Sequence, residues 1–296
     1  MNEVKRGVFM SKYDYVVMGN DKRQMLLYQM LSKKYSCIHC ENADLIKISD
    51  VISDADNILL PIPMCKGEIL NIQVDESQIK NSVSANDLLQ YIKPGQHIFA
   101  GCINDKWEAL VNQKGAYCHD YMKEKRIAIY NSIATAEGTI AEIISTYAKN
   151  LHNEGVIVLG YGVCAKTLAD KLRGMSAKVC IVARNDEALM DAFANGYESV
   201  KLENLKEIIG KYKLIVNTVP VHILSKDILE NIQPDTHLYE IASFPYGADM
   251  DVYTYAKNEC GMKMHMCPSL PAKYAPESSA NILKEIIVEK IGGNIS

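Results

Sequence analysis

No stretch of this 296-residue chain approaches the roughly 20 consecutive apolar residues that a membrane-spanning helix requires. Met1 to Lys12 carries Lys5, Arg6 and Lys12 but no apolar run, so it reads as a short extension before the first strand and not as a secretory signal. Neither sign of charge dominates. The 36 acidic and 32 basic side chains leave a net charge of −4, too mild for a nucleic-acid surface or a membrane-binding patch. Low-complexity tracts and short-period repeats are missing. The nine cysteines are odd in number and scattered, which argues against a disulfide framework and for reduced thiols. Cys37-Ile38-His39-Cys40 is a lone CxxC, and Cys260, His265 and Cys267 lack the spacing of a zinc module, so no metal is expected. These absences point to a cytoplasmic protein whose partner is a small molecule or another protein.

What is present is an ordinary apolar content, 48%, over a length that suits two domains. In the first half, Tyr13–Met18, Asn57–Leu60, His97–Ala100 and Ala116–His119 read as strands. Between them, helices are predicted from Arg23 to Lys33, from a Ser84 cap to Tyr91, and from Asn104 onward. Short alternation of strand and helix argues for parallel α/β units, here a flavodoxin-like or Rossmann-like domain over residues 1–128. Residues 129–151 form a predicted linking helix. The second half is more regular, with strands at Val156–Leu159, Lys178–Val182, Leu214–Asn217, His237–Ile241 and Lys263–Cys267. Asn185, Asn204 and Ser225 stand where N-caps belong. This is the repeat of a doubly wound parallel sheet, a Rossmann domain over residues 152–274. An amphipathic run from Ser279 to Ile291 is expected to return to the first domain, so that residues 275–296 complete it.

The chemistry concentrates at Val156-Ile157-Val158-Leu159-Gly160-Tyr161-Gly162-Val163-Cys164-Ala165. A GxGxxA alone is a weak signal, but this one follows an apolar strand and opens a helix. Gly160 permits the tight turn, Gly162 lets a pyrophosphate approach the backbone, and Ala165 lets the helix sit close to the strands. Together with Tyr161 and Val163 they present free N–H groups and a positive helix end to phosphates. At the end of the second strand an NAD site places a carboxylate on the ribose 2′-OH. Arg184 stands there instead, followed by Asn185, and a guanidinium attracts a 2′-phosphate, so NADP is expected, with NAD possible. Asp186 weighs against that choice, and a solvated loop arginine is the plain alternative. Asn217-Thr218-Val219-Pro220 and Ser243 end later strands and are placed at the nicotinamide half. Turn chemistry alone also accounts for such residues.

Several segments occur in the same order in the family of dipicolinate synthase A subunits: Gly19-Asn20-Asp21-Lys22-Arg23-Gln24, the block from Ile129 to Ile140, Gly160-Tyr161-Gly162, Ala183-Arg184, Asn217-Thr218-Val219-Pro220 and Pro268-Ser269-Leu270-Pro271. The chain resembles that family over nearly its whole length. The resemblance implies a fold like that of the two-domain 2-hydroxy-acid dehydrogenases. It implies an NADP-linked oxidation of dihydrodipicolinate to pyridine-2,6-dicarboxylate in the mother cell of a sporulating bacterium. It also implies a partner, the flavoprotein-like B subunit of dipicolinate synthase; a homodimer is expected from the fold. The chain departs from the family pattern at Ala134, at Ser269–Ala272 and at Ser243–Gly247. A related dehydrogenase of another small hydroxy or amino acid, and a non-catalytic nucleotide-sensing subunit, therefore stay open.

Under this resemblance Arg23 grips a substrate carboxylate, with Ser132, Thr135 and Lys273 as further donors. The alternatives are a solvated first-turn arginine and helix-capping hydroxyls. Glu137 is a candidate general base or a capping-box partner of a helix opening at Ala134. His222 is the second candidate, because imidazole is the usual side chain for taking up a proton near neutrality.

Overall fold

A computed structural model describes residues 11–40, 45–72 and 83–292; most of the N-terminal extension lies outside them. The chain divides into two compact units, one built from residues 1–127 and 276–296, the other from residues 128–275.

In the first unit, β1 (Tyr13–Met18), β2 (Cys37–Cys40), β3 (Ala55–Leu59), β6 (His97–Ala100) and β7 (Tyr117–Asp120) form a parallel sheet in the order β2-β1-β3-β6-β7. That is the flavodoxin-like order. A small antiparallel hairpin, β4 (Cys65–Lys66) and β5 (Ile69–Leu70), stands apart from it. The intervening helices are α1 (Lys22–Leu31), α2 (Leu45–Ser53), α3 (Ala85–Leu89) and α4 (Asp105–Gln113). Period-two alternation gives the sheet two apolar faces. Val16, Ile58 and Ile98 pack with Leu88, Trp107 and Val111 on one side. Val17, Leu59 and Phe99 pack on the other with Leu27 and Leu31 of α1 and with Leu283, Ile286 and Ile287. The last three belong to α12 (Pro276–Lys290), which begins at a proline, a favoured first position, three residues earlier than the sequence predicts.

In the second unit, β8 (Gly155–Leu159), β9 (Lys178–Ala183), β10 (Glu198–Lys201), β11 (Leu214–Asn217), β12 (His237–Glu240) and β13 (Lys263–Met266) are parallel in the order β10-β9-β8-β11-β12-β13. Counted within the unit this is 3-2-1-4-5-6, the doubly wound order of dinucleotide-binding folds. β10, a polar edge strand reading Glu-Ser-Val-Lys, is not evident from the sequence, because an edge needs little burial. The helices are α5 (Lys125–Thr146, whose first residues belong to the other unit), α6 (Val163–Gly174), α7 (Asp186–Ala194), α8 (Leu205–Ile208), α9 (Lys226–Leu229), α10 (Met250–Glu259) and α11 (Leu270–Tyr274). Asn185 and Ser225 cap α7 and α9, whereas Asn204 makes no side-chain cap and instead ends a 3-10 turn, Leu202–Asn204. No described helix is long and apolar enough to cross a membrane.

The last two strands of each sheet carry the same side-chain pattern. His97 and Phe99 of β6 face His119 of β7, with His97 Nδ1 and His119 Nε2 3.0 Å apart. His237 and Tyr239 of β12 face His265 of β13, with His237 Nδ1 and His265 Nε2 also 3.0 Å apart. In both, the second histidine stacks on the aromatic ring opposite, at 4.5 Å between centroids. Burial is the main cause that pushes His119 and His237 down to about 4, aided by the neighbouring histidine and a lysine.

Candidate functional site

The carboxyl edge of the second sheet is assembled by register. Leu159 pairs with Val182 and with Asn217, and Asn217 pairs with Glu240. The residues that follow therefore stand in one row: Gly160 donates its N–H to Val182 O, Thr218 to Leu159 O and Ile241 to Asn217 O, at 2.7, 3.1 and 3.1 Å. In an open parallel sheet this edge, where the strand order reverses between β8 and β11, is where ligands bind.

The two glycines of the turn differ physically. Gly160 has φ +94°, and a Cβ there would lie 2.7 Å from both Thr218 Oγ1 and Val219 Cγ2. The protein itself fills that space, and only glycine meets both demands. Gly162 is the N-cap of α6 and has nothing within 4 Å of a built Cβ, so its backbone faces open space. Gly162 supplies no side-chain cap, and among the described residues no side chain bonds the first N–H groups of α6, which leaves them for an anion. Ala165 is fully buried against the sheet, as a close helix–strand approach requires. Tyr161 turns its ring inward, edge-on to Tyr197 at 6.2 Å, while Val163 is exposed.

Arg184 is exposed at the end of β9 and makes no ion pair among the described residues. Asp186, the carboxylate that weighed against an NADP site, is engaged by Lys201 at 3.0 Å. Asn185 is occupied as the cap of α7, accepting from Glu187 N at 2.7 Å.

On the other half of the edge, Thr218 donates its hydroxyl to Leu159 O at 2.7 Å. Asn217 is fully buried. Its Oδ1 accepts from Val219 N, and its Nδ2 donates to Val219 O and lies 2.9 Å from each Glu240 oxygen. Pro220 and Ser243 are exposed. His222 is exposed too, with Nε2 3.2 Å from Pro245 O and Nδ1 3.5 Å from Asp249. Sequence reasoning passed over Glu240. It is 1% exposed and accepts from Asn217, from Ala242 N, from Gly247 N and from the Tyr253 hydroxyl. Burial and this contact push the Tyr253 hydroxyl well up. The available signal was register: a carboxylate ending one buried strand opposite an amide ending the next.

The remaining predicted residues fall elsewhere. α5 begins at Lys125, not at Ala134, because no residue in its run breaks a helix and Gly138 packs under Leu270 and Tyr274. Ser132, Thr135 and Glu137 therefore lie inside a helix, and none is a cap. Ser132 is buried, donating to Ile129 O at 2.7 Å and meeting Thr167 of α6 at 2.9 Å. Thr135 is half-buried, and its carbonyl accepts from Thr139. Glu137 pairs with Lys171 of α6 at 2.9 Å. Lys273 pairs with Glu142, whose carboxyl is held down chiefly by that contact. Arg23 belongs to the first unit and is not a solvated first-turn residue. It is buried, and its Nη2 donates to Asp21 at 2.8 Å and to Ile62 O at 2.9 Å. All nine cysteines are free thiols, and no three His, Cys, Asp or Glu side chains among the described residues are grouped to hold a metal.

Residues 14–122 match the N-terminal domain of the dipicolinate synthase A subunit. The dipicolinate synthase A subunit of Bacillus subtilis (strain 168) is 28% identical over 283 residues, 92% of this chain and 93% of that one. Its crystal structure superposes with a TM-score of 0.75 at 25% identity, over 94% of this chain and 95% of its own. The corresponding protein of Bacillus halodurans gives 0.76 at 23% identity, over 96% and 99%. At 10% identity, phosphoglycerate oxidoreductase of Vibrio cholerae shares the fold alone, with a TM-score of 0.62 over 95% and 99%. In sequence and in fold alike, this chain is similar to the dipicolinate synthase A subunits.

Proposed function

We propose that this chain is the NADP-dependent dehydrogenase subunit that converts dihydrodipicolinate to dipicolinate. The observation that carries the reading is the glycine turn, with its open approach at Gly162 and an Arg184 that has no ion-pair partner among the described residues, in a chain similar to the dipicolinate synthase A subunits. The residues fit a dinucleotide. The first N–H groups of α6 suit the pyrophosphate, Arg184 suits a 2′-phosphate, and the ends of β11 and β12 suit the nicotinamide half. When bound, the nicotinamide accepts a hydride.

The substrate loses a hydride and a proton, and its ring becomes aromatic. His222 is the better of the two proton acceptors. It follows the carboxyl edge of β11, whereas Glu137 is held by Lys171 and supports the α5–α6 contact. Substrate carboxylates call for cationic partners, and Lys273 of this unit, which Glu142 now holds, is the candidate. A flavoprotein-like partner, homodimeric assembly and a place in the mother cell of a sporulating bacterium belong to the same reading.

The test supplies dihydrodipicolinate generated in situ to the purified chain with NADP, with and without the flavoprotein-like partner. Absorbance is followed at 340 nm, the band of reduced nicotinamide. A rise that depends on substrate and prefers NADP to NAD is expected. No turnover in either arrangement removes the proposal.

A further inference from the structure

We infer that Glu240 is the positioning residue of the nicotinamide half, fixing the loops after β11 and β12 in the shape that receives the ring; this rests on the dinucleotide reading above. A carboxylate 1% exposed, with no cationic partner among the described residues, is costly to bury. An apolar side chain would serve stability as well, since the core beside it, around Leu238 and Tyr253, is apolar. What the carboxylate adds is connection between segments.

Its donors come from separate parts of the chain. Asn217 ends β11, Ala242 and Gly247 bound the loop after β12, and Tyr253 lies in α10. Through Asn217 the carboxylate also holds Val219, whose N–H and carbonyl both bond that amide. Gly247 must be glycine for this closure, because a Cβ would lie 2.6 Å from Asn217 Nδ2 and 2.9 Å from the Tyr253 hydroxyl. The segment bearing His222 is fastened to the same point. Ile223 N and Leu224 N donate to Gly247 O at 2.8 and 2.9 Å, and His222 Nε2 meets Pro245 O. Between the two anchors, Ser243 and Phe244 stand outward, and Phe244 is 81% exposed. An apolar ring held out at the ligand edge by a buried polar network is surface prepared for a flat partner. Glu240 sits beneath it and acts through Asn217 and Gly247.

The experiment uses the full chain and two ligands, NADPH and adenosine 2′,5′-bisphosphate, which carries the adenine half alone. Affinities come from calorimetry, and the emission of bound NADPH reports the surroundings of its ring. Glu240→Gln should weaken NADPH about tenfold and return its emission toward that of free NADPH, with the bisphosphate changed by less than about twofold. If Glu240→Gln does not fold, as judged by its circular dichroism and melting, Tyr253→Phe is read instead. That variant removes one donor and keeps the ring, and should weaken NADPH about threefold with the bisphosphate unaffected. Equal losses for both ligands, or no loss in a folded variant, overturn the inference while leaving the dinucleotide reading intact. Failure of the unmodified chain to bind either ligand overturns both.

Discussion

Asn217 and Glu240, register partners at the ends of β11 and β12, share one amide between two carboxylate oxygens, each at 2.9 Å. Both residues are buried, so neither has water to fall back on. Asn217→Ala leaves Glu240 short of a donor and frees the Val219 backbone. It should cost about 2 kcal/mol of stability, the order expected for a buried polar group left unpaired. Urea denaturation of the full chain checks this, and a loss below about 0.5 kcal/mol would mean that the network is redundant.

On the proposed reading, Arg184 is the residue that selects between the two dinucleotides. Arg184→Glu replaces attraction for a 2′-phosphate by repulsion. NADP affinity should fall about 10- to 100-fold, with NAD affinity unchanged or improved. Equal losses for both, measured by calorimetry, would remove Arg184 from the site.

Gly160 and Gly162 should fail in different ways. Gly160→Ala forces a side chain into φ +94° and against Thr218 and Val219, at a cost of about 1–3 kcal/mol in stability. Gly162→Ala meets nothing in the protein and should leave the melting temperature unchanged while weakening dinucleotide binding. Melting curves and NADPH titration of both variants separate the two effects.

His222→Asn should lower kcat on dihydrodipicolinate by about a hundredfold if the imidazole takes the proton. NADPH affinity and stability should hold, because the side chain is exposed. An unchanged kcat would return the role to Glu137.

The stacked histidine pairs set an acid limit. His119 and His237 are pushed from an ordinary 6.5 to about 4, and His97 and His265 are lowered too. The unfolded chain binds these protons first, so stability falls as pH drops from about 6.5 toward 4. Around them stand Asp56 beside His97, Lys290, Glu124 and Glu108 near His119, Lys263 and Asp235 near His237, and Glu142 near His265. Melting temperature should decline as pH falls from about 6.5 toward about 4. Combining His119→Asn and His237→Asn should flatten the upper part of that decline, and a flat profile for the unmodified chain would contradict the assignment.

The strands and the glycine turn were legible because both are local. Apolar runs such as Val156–Leu159 announce burial, and glycines between an apolar strand and a helix announce a turn, which the positive φ of Gly160 bears out. The linking helix was legible to within a few residues, as 129–151 against Lys125–Thr146, but the alternative start at Ala134 was not excluded, since Ala134–Glu137 resembles a capping box. Ser132 and Arg23 read as exposed donors, but Thr167 and the Ile62 carbonyl, both distant in sequence, use them. Glu240 was passed over for the same reason, since its donors span residues 217 to 253 and only its register with Asn217 hinted at it.

α12 supplies Leu283, Ile286 and Ile287 to the face of the first sheet that α1 also covers. A ribosome therefore finishes every strand of that sheet long before it makes the α12 residues that complete its cover. All six strands of the second sheet emerge in the interval. During synthesis the unit begun first is the last to close, and until then it must keep Tyr15, Val17 and Phe99 from other partners. Truncating the last helix would leave the second unit's sheet entire and the first with an apolar face that α1 alone covers.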